Sequence, residues 1–320
     1  ILIGGGSSDW NAATKIDFYT AANFNTVTGT LRFRLDSNSR ISLSNNDSGG
    51  TGGSDSTSAN TLLGFLAGDD LASGGVNNSF VGHAAGHKNT TGDSNSGFGR
   101  YAGFGNLTGD NNTFVGSQAG LSDNGSSHSN NTGVGFEALK VLTTGGSNTA
   151  VGVTAGDSIT SANFNVAVGL DALGQTTTGG ANVAVGYQAM EGDADGDGAD
   201  NVAIGHKAML ANVSPSKNVA IGDSAMRAMN GTANGIAQCV AIGANAFFGD
   251  ADNTTTNTDG TTAIGYNSLF SLTTGQQNTA IGSFNSDALT TGGFNTSVGR
   301  STLGALTAGS HNVALGRATL

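Results

Sequence analysis

Asn148-Thr149-Ala150-Val151-Gly152, Asn165-Val166-Ala167-Val168-Gly169 and Asn182-Val183-Ala184-Val185-Gly186 restate one phrase with a constant period of 17. Read outward in both directions, its glycine recurs at Gly64, Gly82, Gly99, Gly116, Gly135, Gly152, Gly169, Gly186, Gly205, Gly222, Gly243, Gly265, Gly282, Gly299 and Gly316. That makes 15 copies, with successive spacings of 18, 17, 17, 19, 17, 17, 17, 19, 17, 21, 22, 17, 17 and 17. A fixed short period of this kind is the mark of a repeat architecture, in which each unit buries its surface against its neighbours.

The residue before each glycine is always apolar, as at Val151, Val168, Val185, Ile204 and Ile221, and the residue two places earlier is Thr, Val or Ser. Positions two apart share one face of a strand, and β-branched residues favour strands. Each copy is therefore expected to carry a short β segment with the branched row facing inward. The small residue between, mostly Ala, would admit close approach of a second surface. Glycine ends the segment because it reaches positive φ without strain. An apolar pair such as Ala172-Leu173 or Ala189-Met190 follows, then turns such as Thr143-Thr144-Gly145-Gly146. Strand, glycine corner, apolar segment and turn compose one coil of a solenoid. The fold expected is all-β: a parallel β-roll of about 15 coils with base period 17. At 4.7–4.9 Å between hydrogen-bonded strands, such a stack is roughly 70 Å long.

Asn opens 13 of the 15 copies, including Asn148, Asn165, Asn182 and Asn201, with Cys239 and Thr261 as the exceptions. Stacking would set these amides above one another in a hydrogen-bonded ladder. Asn77, Asn111 and Asn130 begin Asn-x-Ser/Thr triplets, but regular recurrence favours the ladder over glycan attachment.

Composition supports thin layers rather than one large core: 53 of 320 residues are Gly, only 1 is Pro and 11% are charged. The net charge of −11 argues against a nucleic-acid surface, which needs clustered cations. Arg32 and Arg34 are expected on the wet side of a strand whose other face carries Leu31, Phe33 and Leu35. No apolar run approaches the roughly 20 residues of a transmembrane helix, so no membrane insertion is expected of this segment. The start at Ile1, with no basic flank, reads as an excerpt of a longer chain. One cysteine forms no internal disulfide.

Three segments are expected: a β module at 1–44, a linker at 45–59 rich in Gly, Ser and Asp, and the repeat array at 60–320. Longer gaps place insertions at 121–130, 191–200, 227–238 and 248–260, which read equally as partner-binding loops, where solenoids often carry binding, and as ordinary tolerated surface loops. In one of them, Asp193, Asp195 and Asp197 place oxygens at alternate positions with glycine sixth, as in a calcium loop. Ile204 stands where the bidentate Glu belongs. Calcium is thus the one cofactor the sequence suggests, against the simpler reading of a solvated acidic turn. His83 and His206 occupy equivalent places after the repeat glycine, which favours stacking over ligation. Tyr187, Tyr266 and Phe136, placed likewise, suggest packing in the core or between chains rather than a sugar-binding patch. No catalytic grouping stands out, and no enzyme is expected.

The Asn-x-Ala-Ile/Val-Gly-x-x-Ala run resembles the head repeats of YadA-like trimeric autotransporter adhesins, and more closely the longer repeats of phage tail fibres, from Asn60 to Leu320. The resemblance implies a left-handed parallel β-roll built by three chains, projecting from a virion tail or a bacterial cell surface. The partners it implies are two further copies of the chain and a host-surface receptor, with a glycan among the candidates. Lys15 to Leu43 resembles the small β module that often precedes such repeats in tail fibres. The unit is longer than the adhesin head repeat, and neither a membrane anchor nor the fibre families' C-terminal chaperone is expected within the segment. Two alternatives remain at this level: a monomeric solenoid binding a flat surface such as ice, which calls for a regular Thr row, and a calcium-stabilised secreted solenoid, which calls for Asp in every repeat.

Overall fold

A computed structural model describes residues 15–20, 30–36, 41–42 and 59–319, less 73, 123–124, 193–197, 213, 229–236 and 250–257. Strands β1 (Lys15–Thr20), β2 (Thr30–Asp36) and β3 (Ile41–Ser42) form an antiparallel sheet in that order, with an irregularity in register between Phe18 and Tyr19.

The remaining strands are three residues long. They are β4 (Thr61–Leu63), β5 (Ser79–Val81), β6 (Ser96–Phe98), β7 (Thr113–Val115), β8 (Thr132–Val134), β9 (Thr149–Val151), β10 (Val166–Val168) and β11 (Val183–Val185). The series continues with β12 (Val202–Ile204), β13 (Val219–Ile221), β14 (Val240–Ile242), β15 (Thr262–Ile264), β16 (Thr279–Ile281), β17 (Thr296–Val298) and β18 (Val313–Leu315). All 15 lie in one parallel sheet in sequence order, β4 to β18, and no helix occurs among the described residues. Pairing is in register throughout: Val166, Ala167 and Val168 sit on Val183, Ala184 and Val185, and those on Val202, Ala203 and Ile204. Chain connectivity that returns every strand to the same edge, one rung further on, is a β-solenoid.

Backbone groups outside the strands also pair along the axis. Gly169 N–H donates to Val151 O (2.9 Å), Gln188 N–H to Leu170 O (2.9 Å), and Thr160 N–H to Thr177 O (3.0 Å). Polar backbone at each corner is thus satisfied largely by the neighbouring coil, with a longer bond inside the coil closing the turn, as from Ala172 N–H to Gly169 O (3.4 Å).

The glycine corner is geometrically obligatory. Gly169 has φ +136°, and a Cβ there would press into the carbonyl of Gly186, 2.7 Å from its carbon. The equivalent glycines from Gly64 to Gly299 meet the next coil's glycine carbonyl in the same way.

The strand face, however, is turned the other way from the sequence expectation. Along β9 to β16 the small middle residues, Ala150, Ala167, Ala184, Ala203, Ala220, Ala241, Ala263 and Ala280, are the buried ones. The branched residues on either side, among them Val151, Val168, Val185, Ile204 and Ile221, face out of the coil and are half-buried or exposed. So short a coil encloses too little space to take two branched side chains per strand. Its interior is filled by one methyl from the strand, a small residue past the corner such as Ala155, Ala172 or Ala189, and larger groups from the far side, among them Ile159, Leu173, Met190, Met209, Met226, Phe247, Leu269 and Leu272. Packing at native density then forces the bulky strand residues outward.

The first coils solve the same volume problem differently. Phe80 and Phe114 replace the inward alanine, and the coils next to them carry Gly97 and Gly133, where a Cβ would lie 3.0 and 2.9 Å from the respective rings. Opposite them stand Gly86 and Gly120 in place of leucine, where a Cβ would overlap the Phe rings.

Candidate interaction face and the ladder behind it

Outward rows of the long sheet make a continuous face. Its row before the corner glycine runs Val151, Val168, Val185, Ile204, Ile221, Ile242, Ile264 and Ile281 through β9 to β16. From β10 to β14 the companion row is also aliphatic: Val166, Val183, Val202, Val219 and Val240. Elsewhere that companion is Thr or Ser, except at Val313. Val151, Ile204, Ile221, Ile242 and Ile281 are 36–39% exposed. Just past the corner, Phe136, Tyr187 and Tyr266 are exposed as well, at 45, 41 and 47%. Their placement outside the coil excludes packing in the core of their own chain.

Behind this face runs the asparagine ladder, which the structure builds as the recurrence suggested. Asn165 Oδ1 accepts the backbone N–H of Asn182 (2.9 Å), and Asn148 Oδ1 accepts that of Asn165 (3.0 Å). Asn165 Nδ2 donates to Gly179 O (3.0 Å) and to Asn148 Oδ1 (3.2 Å). Asn182 reaches Gly198 O (2.8 Å) and Asn201 reaches Pro215 O (2.7 Å) by the same arrangement. Asn148, Asn165, Asn182 and Asn201 are buried, and each amide ties the start of its strand to the turn that closes the same coil. The break lies where the sequence departs from Asn. Cys239 Sγ donates to Thr258 O (3.2 Å), burial pushes its thiol pKa up to about 12, and the Thr261 hydroxyl is buried without a partner.

The three glycosylation triplets begin at exposed corners: Asn77, Asn111 and Asn130 have φ of 60, 59 and 62°. Asn tolerates the left-handed region better than most residues, which accounts for its use there.

Histidines divide by environment. His206 stacks on Tyr187 (5.5 Å, 12°) and pairs with Asp223, while His83 lies between Phe65 and Tyr101. His128 is buried against the edge of Phe114, with Nε2 2.9 Å from Ser122 Oγ, and burial lowers its pKa to about 4. Among the described residues no three His, Cys, Asp or Glu side chains converge as a metal site. Asp193, Asp195 and Asp197 lie outside the described residues, as do parts of the four insertions. One acidic run is close enough to interact: Asp157 is raised to about 6 by burial first and then by Asp171, while Glu137 pairs with Lys140 at 3.0 Å.

Sequence reasoning found the coils, corners and ladder but missed the direction of the branched row and an aromatic groove beside the first coils. The signal for the row was present in the alanines: a position that never grows beyond Ala through eight successive strands is a position without room.

The fold defines a class, the parallel β-solenoid or β-roll of short glycine-cornered coils. Comparison of the chain with family models, curated proteins and solved structures gave no match. No described helix is long and apolar enough to cross a membrane.

Proposed function

We propose that this chain is a segment of the shaft of an extracellular adhesive fibre, in which three copies pack through their outward sheet faces and present a rod to a host or other surface. The observation that carries this reading is the in-register aliphatic block of β10 to β14, left open to solvent by a fold with no other element to cover it among the described residues. Large contiguous apolar surfaces on soluble proteins mark interaction sites.

Full burial of a Val or Ile side chain contributes about 1.5–3 kcal/mol, so a residue still one-third exposed has roughly 0.5–1 kcal/mol left to gain. Five such residues give about 3–5 kcal/mol per chain, against an association cost of roughly 4–15 kcal/mol. The companion Val row and the exposed aromatics are needed to tip the balance. A closed three-chain arrangement uses the face of every copy. Fibres of this kind sit on virion tails and on bacterial surfaces.

Sedimentation equilibrium tests the reading. The expected species is three times 31.5 kDa, and Ile204→Lys with Ile221→Lys shifts it to a folded monomer. A wild-type monomer at tens of micromolar overturns it. A flat surface-binding role of the ice-binding type has weaker support, because the Thr row of Thr113, Thr132 and Thr149 gives way to Val at β10 and returns only at Thr262. Thermal hysteresis in a monomeric sample is the result that would favour it.

A further inference from the structure

Beside the first coils, on the side past the glycine corner, His83, His87, Arg100, Tyr101, Phe104 and Gln118 line a groove of about 520 Å³. Its size falls within the range of small-ligand sites. His87 and Phe104 stack at 5.2 Å and 14°, and Tyr101 meets Phe104 edge-on at 5.4 Å, giving two ring faces at an angle. The Arg100 guanidinium lies 4.5 Å from the centre of the Tyr101 ring.

Backbone strain does not set this groove apart, whereas an unpaired side-chain atom does. Tyr101 has φ +59°, but the coil imposes this conformation at the second residue past every corner glycine, as at Ala84, Gln118, Thr154 and Phe284. His87 keeps a buried Nδ1 without a hydrogen-bond partner. That unpaired nitrogen is not required by the coil, and a buried polar atom without a partner calls for an explanation such as a bound ligand.

Arg100 is the one charged residue among those lining the groove, and the pairing of its neighbours sets the preference. Asp70 is paired with Lys88 at 2.9 Å, and Asp69 lies 3.8 Å from His87 Nε2, while no carboxylate pairs with Arg100 among the described residues. A guanidinium over a ring and without an ion-pair partner has N–H donors to offer a carboxylate. We infer that this groove binds an acidic saccharide, a uronic- or sialic-type unit of a surface polysaccharide. The sugar's C–H face would rest on Tyr101 or Phe104, its carboxylate on Arg100, and its hydroxyls on Gln118 and His87. Apolar ring faces with a few convergent polar groups suit a pyranose, which presents one apolar face and a polar rim.

Titration calorimetry with tetragalacturonate and sialyllactose, with maltotetraose as the neutral control, tests the inference. Binding of at least one acidic sugar is expected, with at least tenfold preference over maltotetraose. Arg100→Gln and Tyr101→Asn should each weaken it at least tenfold, the second variant keeping a residue suited to the corner. The groove does not depend on the fibre reading, and sedimentation of the same variants separates loss of ligand from loss of assembly. Equal binding of acidic and neutral sugars, no binding of either, or full affinity in an Arg100→Gln protein of unchanged sedimentation overturns it.

Discussion

Replacing Asn165 probes the ladder more sharply than any change to the core, because the two available variants respond differently to pH. Asn165→Ala leaves two buried groups without partners, the N–H of Asn182 and the carbonyl of Gly179, and removes one of two donors to Asn148 Oδ1. A buried polar group deprived of its partner costs about 1–3 kcal/mol, so the expected loss is about 2–6 kcal/mol at any pH. Asn165→Asp keeps the shape but brings a carboxylate against Gly179 O and Asn148 Oδ1, both acceptors. Folding then requires protonation of a group whose ordinary pKa is about 3.9, which costs roughly 4 kcal/mol at pH 7. Once protonated, the acid donates to Gly179 O and still accepts from Asn182. The folded-state pKa is raised, so the penalty is absent below about pH 4, grows as pH rises and levels off above the folded value. Urea titrations of wild type and both variants at pH 4, 5.5 and 7 measure this. A penalty for Asn165→Asp that does not change with pH, or one for Asn165→Ala below about 1 kcal/mol, would refute the buried ladder.

Other expectations follow from the same geometry. Gly125 has φ +95° with nothing within 4 Å of a would-be Cβ, whereas Gly169 meets the next coil's backbone. Gly125→Ala should therefore cost only backbone strain, about 1–3 kcal/mol, and Gly169→Ala distinctly more in the same urea titration. Equal midpoints would count against the tight glycine column. Cys239→Asn replaces the thiol, a weak donor to Thr258 O and a weak acceptor toward the next coil, with an amide that does both more strongly, so a gain on the order of 1 kcal/mol in chemical denaturation is expected. Because burial lowers the His128 pKa from 6.5 to about 4, the unfolded chain takes up a proton that the folded chain refuses. Stability should fall by roughly 3 kcal/mol as pH drops from about 6.5 to 4, and a His128→Phe variant should lack that slope. Asp157 titrates in the opposite sense near pH 6, so the comparison is cleanest with Asp157→Asn in both proteins.

The parts of this fold legible in the sequence are those enforced once per coil by a single residue type. Gly169 and its equivalents admit no side chain, Asn165 and its equivalents bridge two backbones, and both recur with the period. Direction was harder to read. A three-residue strand offers two faces to a period-2 argument, and hydrophobicity alone selects Val166 and Val168 for the interior, where Ala167 is found. Volume decides instead, and volume appears only when distant positions are compared, Phe80 with Gly86 and Gly97, or Ala167 with Leu173. The groove at Arg100 was illegible for a related reason. Its members come from successive coils, and they meet only because corner positions one period apart stack along the axis.

Hydrogen bonds that run from coil to coil have a mechanical corollary. Tension along the stack loads the contacts between rungs one after another, so the rod is as strong as its weakest junction, not as the sum of all. That junction lies between β13 and β15, where Cys239 and Thr261 interrupt the amide column, and there the rod should part first under pulling.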